Sequence, residues 1–493
     1  MAEAEFTKKY SLKFENLKYK ILGKTNYTVS ICGFGSYRID QGINRHKSAL
    51  ELALKNGINL IDTSANYTDG GSESLVGTVL NNLFSSGEMH RDELILVTKG
   101  GYIQGENLKF AQQKEAEGRP YNDVVKCSPE LWHCIHPKFL QDQITLSLKK
   151  LSIKKIDIYL LHNPEYFFTC SNIKDAVARE KEFYSRIKMA FIHLEKEVEK
   201  GRISFYGISS NTFGEEPTKI NFVSLEKTLK IAEEISKQNH FAVIQFPLNL
   251  NEKRAAVNKN QNNNTETVLE YAYKNNIGVL INRPLNAIEN NKIIRLADFN
   301  IKENRNIDEI NNLISDLADQ EENLKKNFVD KIDFAPSEKR SMYDCLSLAA
   351  IISGNYNRFE TPHQFQEMKG YYLIPRANYA ISELVNKKRD DEDLIKVVRK
   401  YAVTTNILLD SVESSLAVKQ NKLNQKVHAD LNKYLSKEQQ KLTLSQKSIL
   451  MINSLNEVSS TLVGMRRPDY VEDVLGSIRS DYVNNVKNYW LKD

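Results

Sequence analysis

The sequence is poor in cysteine. It has five cysteines in 493 residues, widely spaced and without a CxxC pair, so neither a disulfide framework nor a common zinc motif is predicted. One loop does hold four residues of the types that bind zinc, at a spacing that suits no common structural site: Cys127, His133, Cys134 and His136. We therefore predict no metal site, and free thiols in a reducing cytoplasm for all five cysteines.

Long apolar runs and blocks of one charge are also missing. No segment approaches about 18 uninterrupted apolar residues, so no membrane span is predicted, and residues 1–6 lack the pattern of a secretory signal. The 68 Lys and Arg residues against 63 Asp and Glu residues leave a net charge of +5, which does not indicate nucleic-acid binding. With 41% hydrophobic and 27% charged residues, we expect a cytoplasmic globular protein.

What the sequence does contain is a regular alternation of short apolar runs and amphipathic stretches. A predicted hairpin over 19–30 is followed by seven strand–helix units that end near residue 281, and by an eighth over 459–478. The strands are almost continuously apolar, which is typical of a parallel sheet covered on both faces. Eight such units predict an α/β fold, a closed (β/α)₈ TIM barrel with its active site at the C-terminal strand ends. Residues 104–137 show no assignable pattern.

The predicted domain organisation has three parts. Residues 17–285 form strands one to seven of the barrel, residues 286–443 form a mostly helical insertion without strong strand signals, and residues 444–493 form the last βα unit and a C-terminal tail. The insertion has three possible roles, as a cover over the barrel mouth, a partner-binding module or a solvated elaboration. Because long excursions at this face tend to be functional, we favour a cover.

Four side chains suited to proton transfer fall at or near predicted strand ends. Asp62, Lys99 and His162 each end a predicted strand, and Tyr67 follows Asp62 by five residues. Taken singly, each is more often a loop carboxylate, a solvated lysine, a core histidine or a packing tyrosine. The C-terminal ends of barrel strands meet at one mouth, however, so their joint position favours a catalytic site.

These four residue types suit the reduction of a carbonyl. The reference pKa of a tyrosine phenol is about 10, and we expect the Lys99 ammonium to lower the pKa of Tyr67 while Asp62 holds Lys99 in place. Tyr67 then exchanges a proton with a substrate oxygen that His162 orients. Because a proton alone does not reduce a carbonyl, the site needs a nicotinamide cofactor.

Several stretches, in this order and at this spacing, resemble the aldo-keto reductase family. They are IDTSANYTDGGSESLVG, LVTKGGY, SLKKLSIKKIDIYLLHNP, EKGRISFYGISSN, VIQFPLN and LVGMRRPDYVEDVL. The resemblance spans residues 17–285 and 444–480. It implies an NAD(P)H-dependent oxidoreductase that interconverts an aldehyde, ketone or sugar and its alcohol. It also implies that the family's catalytic tetrad falls on Asp62, Tyr67, Lys99 and His162.

The same resemblance implies a cofactor site at the ends of strands five to eight. Its residues would be Ser209, Ser210, Gln245, Asn282, Arg283, Gly464, Met465, Arg466 and Arg467. The family's helix arginine, which favours a 2′-phosphate, falls on Tyr470. The two remaining arginines precede a helix opened by Pro468, and a helix N-terminus is a good anion site. We therefore favour NADP(H), with NAD(H) as the second possibility.

Two further questions stay open at this stage. In the loop after the third strand, Trp132, His133 and His136 either line the substrate pocket or pack the loop, and Glu165 is near enough to His162 in sequence to reach the pocket. The alternative to an enzyme is a cofactor-binding regulatory or scaffold module that docks a partner through the insertion. The insertion favours this alternative, and the complete tetrad argues against it.

Overall fold

The computed structural model describes residues 1–289, 292–299, 301, 305–359 and 361–492. The chain forms two compact units, residues 1–296 with 431–493 and residues 297–430. The predicted domain limits at 285 and 443 stay predictions, because compactness does not show where a segment folds by itself. None of the helices in the described ranges combines the length and the hydropathy that crossing a membrane requires.

The strands of the described residues all lie in the first unit. They are β1 (Tyr19–Ile21), β2 (Thr28–Ser30), β3 (Cys32–Gly35), β4 (Leu60–Asp62), β5 (Ile95–Gly100), β6 (Tyr102–Ile103), β7 (Val125–Ser128), β8 (Leu131–His133), β9 (Ile156–His162), β10 (Ile203–Ser209), β11 (Phe241–Pro247), β12 (Lys259–Gln261), β13 (Glu266–Thr267), β14 (Gly278–Asn282), β15 (Asn286–Glu289), β16 (Lys292–Arg295) and β17 (Ser460–Gly464).

Eight of these strands close into a parallel barrel. Their order around the barrel is β3, β4, β5, β9, β10, β11, β14 and β17, and β17 pairs with β3 to close it. β1 and β2 form the antiparallel hairpin at the N-terminal side of the chain. The predicted fold is therefore confirmed: a (β/α)₈ barrel with an N-terminal hairpin and a large, mostly helical insertion between its seventh and eighth strands.

Helices surround the barrel and build the second unit. They are α1 (Ala4–Leu12), α2 (Asn44–Lys55), α3 (Gly71–Ser85), α4 (Gly105–Ala116), α5 (Pro137–Leu151), α6 (Tyr166–Cys170), α7 (Ala176–Glu199), α8 (Leu225–Ile235), α9 (Arg254–Val257), α10 (Val268–Lys274), α11 (Ile307–Leu324), α12 (Pro336–Cys345), α13 (Leu348–Asn355), α14 (Pro362–Met368), α15 (Ile374–Lys387), α16 (Glu392–Asn432), α17 (Leu444–Asn453), α18 (Pro468–Arg479) and α19 (Lys487–Trp490).

Each unit has a hydrophobic core of its own. In the barrel, apolar side chains from successive strands fill the interior, among them Leu60, Val97 and Ile158, all fully buried. In the helical unit, α11, α13 and α16 contribute fully buried residues such as Leu317 and Leu408 to a separate cluster. Burial of apolar surface at about 25 cal/mol per Å² is the main stabilising contribution in both cores.

Two segments contain more regular structure than the sequence indicated. Residues 104–137, predicted to be irregular, hold helix α4 and strands β7 and β8, which join the preceding β6 in a three-stranded antiparallel sheet of order β6-β8-β7. The insertion was predicted without strong strands, but it begins with the antiparallel hairpin β15–β16. Both sets of strands are only two to four residues long, too short for the alternation of apolar and polar residues to stand out.

The prediction that all five cysteines are free thiols is wrong for two of them. Cys127 on β7 and Cys170 at the end of α6 form a disulfide, although they are separated by 43 residues in sequence. The fold brings the two elements together, with Cα atoms 4.9 Å apart, a spacing that the sequence does not reveal. The other three cysteines are free: Cys32, Cys134 and Cys345.

Candidate active site

Three barrel strands present polar side chains at one level of the mouth. β4 ends at Asp62, β9 ends at His162, and Lys99 is the last residue but one of β5. The parallel register pairs Asp62 with Val97 and Lys99 with Leu160. Most strand residues below this level are apolar, and all of them are buried, so electrostatic interactions between the polar groups are strong.

The ammonium group of Lys99 has a full set of acceptors. Its Nζ donates to Oδ2 of Asp62 at 2.7 Å, to the carbonyl oxygen of Thr63 at 2.8 Å and to Oη of Tyr67 at 3.1 Å. These contacts use all three of its protons, and the side chain is completely buried. Three of the four predicted catalytic residues therefore form one hydrogen-bonded group, with the phenol at its outer end.

The second carboxylate oxygen of Asp62 is held by a residue that the resemblance assigned to the cofactor. Nε2 of Gln245 donates to Oδ1 of Asp62 at 2.8 Å, and Oε1 of Gln245 accepts from Oγ of Ser209 at 2.9 Å. A continuous chain of hydrogen bonds thus leads from Ser209 through Gln245, Asp62 and Lys99 to Tyr67. The sequence-based interpretation missed the contact between Gln245 and Asp62, which are 183 residues apart. Only their positions on inward-facing strand ends could have signalled it.

Contacts with neighbouring residues hold both the backbone and the ring of His162. Its Nδ1 lies 3.0 Å from Oγ of Ser64, and its carbonyl oxygen lies 2.8 Å from Nε2 of His133. The rings of Tyr67 and Tyr102 meet the imidazole edge to face, with centroids 5.9 and 4.7 Å away. The geometry thus brings the fourth predicted residue next to the phenol.

The pKa of Tyr67 is shifted in the opposite direction to the sequence-based expectation. Burial raises it well above its usual range, and the charge of Asp62 raises it further. Burial likewise raises the pKa of Asp62 and lowers that of Lys99, while their ion pair opposes both shifts. The expected net lowering of the pKa of Tyr67 is therefore not found, because desolvation of the phenolate is the larger effect.

The pKa of His162 is lowered well below its usual range. Burial is the main cause, and the nearby positive charge of Lys99 adds to it. The imidazole is therefore neutral at neutral pH and serves as a hydrogen-bonding group. The phenol of Tyr67 keeps its proton, which makes it the better proton donor of the two.

The segment after Tyr67 adopts an unusual backbone that is held by side-chain contacts. Thr68, Asp69 and Gly70 have φ values of 47°, 55° and 88°, and for a β-branched residue such as threonine this left-handed region is unfavourable. Oγ1 of Thr68 donates to the carbonyl of Ile39, and the Asp69 carboxylate accepts from the backbone N–H of Glu106. These contacts keep the turn closed and so fix the position of Tyr67.

Substitution of Ser64 tests how much the orientation of His162 matters. We expect Ser64→Ala to lower kcat/KM for a carbonyl substrate by about 3- to 10-fold, the value of one hydrogen bond, because Nδ1 of His162 loses its partner. Steady-state kinetics with Ser86→Ala as the control, an exposed serine at the end of α3, measures this. Unchanged kinetics in Ser64→Ala would show that the ring is held by packing alone.

The other residues noted near the pocket have different positions. His133 supports the carbonyl of His162, but Trp132 lies beneath the ammonium of Lys126, 4.1 Å from its ring centroid, and His136 caps α5. Glu165 is 5% exposed, and its Oε1 accepts from the backbone N–H of Asn211 at 2.8 Å. Burial raises the pKa of Glu165 to about 7.

The residues predicted at the nicotinamide end divide into two groups. Asn282 lies beside the tetrad network, with Nδ2 3.5 Å from Oε1 of Gln245, and its own Oδ1 is buried without a partner among the described residues. Arg283 turns to Glu252 instead, with a 2.8 Å ion pair, and Ser210 bonds to Thr212. Asn282 therefore links the predicted cofactor site to the proposed catalytic residues, whereas Arg283 and Ser210 do not.

The segment after β17 presents two arginines in different surroundings. Gly464 is exposed and Met465 is completely buried, and the chain then continues to α18. Arg467 pairs with Asp469 and stacks on the ring of Tyr470 at 4.3 Å. Arg466 is half-buried and has no such pair among the described contacts. The structure thus distinguishes the two arginines, which are equivalent in the sequence.

The described side chains contain no group of three or more His, Cys, Asp or Glu residues that is placed to hold a metal ion. The four candidate zinc ligands are instead accounted for by the disulfide of Cys127, by the buried thiol of Cys134 and by the hydrogen bonds of the two histidines.

The family model described as the aldo/keto reductase family matches residues 33–326. This is more than half of the chain, and the protein belongs to the aldo/keto reductase family.

Individual relatives match over shorter stretches. The NADH-specific methylglyoxal reductase of Escherichia coli is 31% identical over 150 residues, which cover 29% of this chain and 40% of that protein. The NADPH-dependent D-xylose reductase of Meyerozyma guilliermondii is 25% identical over 201 residues, 38% of this chain and 50% of that protein. This chain thus spans about half the length of such curated relatives. Among solved structures, an aldo-keto reductase from Bacillus halodurans is 14% identical with a TM-score of 0.46, and covers 96% of this chain and 95% of that chain.

Proposed function

We propose that the protein is an NAD(P)H-dependent oxidoreductase that reduces the carbonyl of an aldehyde, ketone or sugar to an alcohol, or carries out the reverse reaction. One observation carries the proposal: a buried lysine, ion-paired to Asp62, places its ammonium 3.1 Å from the hydroxyl of Tyr67. A bound nicotinamide supplies the hydride in such a reaction. The two relatives described above are both named reductases, which supports the same class of reaction.

In this proposal Tyr67 donates the proton to the developing alkoxide of the substrate. The phenol is protonated at neutral pH, and Lys99 stabilises the phenolate that remains when the proton leaves. Asp62 and Gln245 hold Lys99 in place, and the neutral His162 hydrogen-bonds the substrate oxygen. The protonated phenol is the form that reduction requires, whereas alcohol oxidation needs the phenolate as a base.

The residues at the mouth fit the carboxamide of a nicotinamide. The unpartnered Oδ1 of Asn282 is a buried acceptor beside Gln245, and a buried polar atom without a partner is costly unless a ligand satisfies it. Ser209 and Ser210 supply hydroxyl groups at the end of β10. These residues would hold the cofactor, with the phosphates toward Gly464, Met465 and Arg466.

NADP(H) is the favoured cofactor and NAD(H) the second. The NADPH-dependent D-xylose reductase supports the first, and the NADH-specific methylglyoxal reductase keeps the second open. Arg466, at the N-terminal end of α18, supports NADP(H) by its charge.

The proposal is tested by consumption of NADPH and NADH over a panel of aldehydes, ketones and aldoses, with dissociation constants of both dinucleotides measured in parallel. We expect micromolar binding of at least one dinucleotide and carbonyl-dependent oxidation of it, as in typical enzymes. If a dinucleotide binds but no carbonyl is turned over, the proposed enzymatic activity is contradicted, and a cofactor-binding regulatory module is favoured. Absence of binding would overturn both.

The pKa shifts predict the pH dependence of reduction. Tyr67 titrates well above its usual range and His162 well below its own, so kcat/KM should be constant between about pH 7.5 and 9.5. Among the groups that neighbour Tyr67 and His162, burial raises the pKa of Tyr102 and lowers the pKa of His133 to about 4. Glu165, with a pKa of about 7, is the neighbouring group that titrates near neutrality, and Glu165→Gln should remove any inflection there. A fall in kcat/KM centred between pH 8 and 9 would contradict the neutral phenol.

A further inference from the structure

The disulfide between Cys127 and Cys170 joins two loops that leave neighbouring strands of the barrel. Cys127 lies on β7, in the excursion that follows β5, and Cys170 is the last residue of α6, which follows β9. β5 and β9 pair with each other and carry Lys99 and His162 of the candidate site. The bond therefore links two segments beside this site, although the proposed reaction makes no use of it.

Together with a hydrogen bond, the disulfide closes a circuit of contacts that begins and ends at His162. In one direction the chain runs from His162 into α6, from Tyr166 to Cys170. In the other direction, Nε2 of His133 lies 2.8 Å from the carbonyl oxygen of His162, and His133 ends β8, which pairs with β7. Cleavage of the disulfide therefore leaves weaker contacts to hold the β7–β8 hairpin on α6.

Those weaker contacts are aromatic. The ring of Tyr166 stacks on His133, with centroids 6.0 Å apart, and meets Tyr102 edge to face at 5.4 Å. Tyr102 in turn lies 4.7 Å from the ring of His162. A ring pair stays favourable over a range of about 4.5–7 Å, whereas the disulfide holds two Cα atoms 4.9 Å apart. The disulfide thus sets how closely the hairpin and α6 enclose the rings beside His162.

Both segments have further anchors that do not depend on the disulfide. Nη1 of Arg186 on α7 donates to the carbonyl of Asp123, two residues before β7, at 2.7 Å. Phe168 of α6 packs on Phe183 of α7, with ring centroids 4.3 Å apart. We therefore expect reduction to change the tip of the hairpin and its contacts with α6, and to leave the rest of the fold in place.

The disulfide is placed where a reductant can reach it. Cys127 and Cys170 are each half-exposed, and residues 128–130 at the hairpin tip are exposed. The ladder between β7 and β8 shifts register at Cys127, as at a β-bulge, which reorients a side chain. A chain of this size can bury enough apolar surface to fold without cross-links, and exposed disulfides are typically labile or regulatory.

We propose that Cys127 and Cys170 form a redox switch, in which a dithiol reductant opens the bond and lowers the efficiency of carbonyl reduction. A thiolate of the reductant attacks one sulfur and displaces the other cysteine as a thiolate. The second thiol of the reductant then releases the first cysteine, so two electrons and two protons pass to the protein, and the reductant leaves as a cyclic disulfide. Exchange with a disulfide oxidant reverses the step.

The effect on activity rests on the proposed function, and its test compares oxidised with reduced wild type. Reduction by dithiothreitol, removed before the assay, should lower kcat/KM for the best carbonyl substrate by about 3- to 10-fold, the value of the hydrogen bond between His133 and His162. Oxidised glutathione should restore it, and activity should follow the fraction of intact disulfide, counted by thiol alkylation and mass spectrometry. A bond with a purely structural role would leave kcat/KM unchanged, and this result, or a rise, would overturn the proposal.

Variants that cannot form the bond provide the second arm of the test. Cys127→Ser and Cys170→Ser should each show the kcat/KM of the reduced wild type and no response to dithiothreitol. Cys345→Ser is the matched control, because Cys345 is a half-exposed free thiol in the helical unit, and it should keep the full response. Serine variants with the activity of the oxidised wild type would contradict the switch and leave the proposed function intact.

Proteolysis gives a measurement that does not depend on turnover. Lys126, beside Cys127, is exposed, and trypsin should cleave after it at least about fivefold faster in the reduced protein, because a less constrained hairpin opens more often. If neither form turns over a carbonyl, the proposed function is contradicted. Equal cleavage of the two forms would then overturn the switch as well.

Discussion

Tyr67→Phe is expected to lower kcat for carbonyl reduction by about 10²- to 10⁴-fold, the contribution of a general acid. The change removes one hydroxyl, the atom that Lys99 contacts at 3.1 Å. The ring keeps its packing against Tyr37 and His162, with centroids 5.0 and 5.9 Å away. Binding of the dinucleotide should therefore change by less than about twofold, since the phenol acts on the substrate oxygen.

Single-turnover and steady-state rates for the best carbonyl substrate measure this loss. Tyr37→Phe is the matched control, because it removes a hydroxyl from a 62% exposed ring that touches Tyr67 but is not one of the three acceptors of Lys99. It should retain most of the wild-type activity. If Tyr67→Phe kept more than a tenth of the wild-type rate, another group would have to supply the proton, and His162 would be the first to examine.

The difference between Tyr67 and His162 indicates which of them would transfer the proton in the proposed reaction. Both lie at the same mouth, His162 buried and Tyr67 half-buried, and desolvation disfavours the charged form of each. At neutral pH the phenol therefore stays protonated, and the imidazole stays neutral, without its second proton. One environment therefore produces a proton donor and a neutral hydrogen-bonding partner, and Lys99 supplies the charge that stabilises the donor after transfer.

The barrel and the positions of the proposed catalytic residues could be predicted because they depend on local patterns. Mostly apolar strands of three to seven residues alternate with amphipathic helices, and the C-terminal end of a barrel strand faces the mouth whatever the loops do. Asp62, Lys99 and His162 could thus be placed from the ends of their strands. The roles of these residues stay proposals until the variants have been measured.

The rest depends on contacts between distant parts of the chain. Gln245 holds Asp62 across 183 residues, and Cys127 meets Cys170 across 43, and no local pattern carries such pairings. The direction of the pKa shift of Tyr67 could also be found only from the structure. The balance between desolvation and a nearby ammonium depends on how deeply the phenol is buried.

Lys99→Met should have the largest combined effect on stability and activity. The substitution leaves the buried carboxylate of Asp62 with Gln245 as its remaining side-chain donor. An uncompensated buried charge costs about 3–5 kcal/mol in the free energy of unfolding. Turnover should fall at least as far as in Tyr67→Phe, because the phenolate loses its stabilising charge.

The double variant Asp62→Asn with Lys99→Met separates the two effects. It removes both charges, so we expect most of the lost stability to return, since a buried pair replaced by neutral groups of similar size is often close to neutral. Activity should stay as low as in Lys99→Met, because no ammonium is restored. Denaturant unfolding and turnover of the same preparations measure both quantities. Recovery of activity in the double variant would show that Lys99 only balances the charge of Asp62 and takes no part in proton transfer.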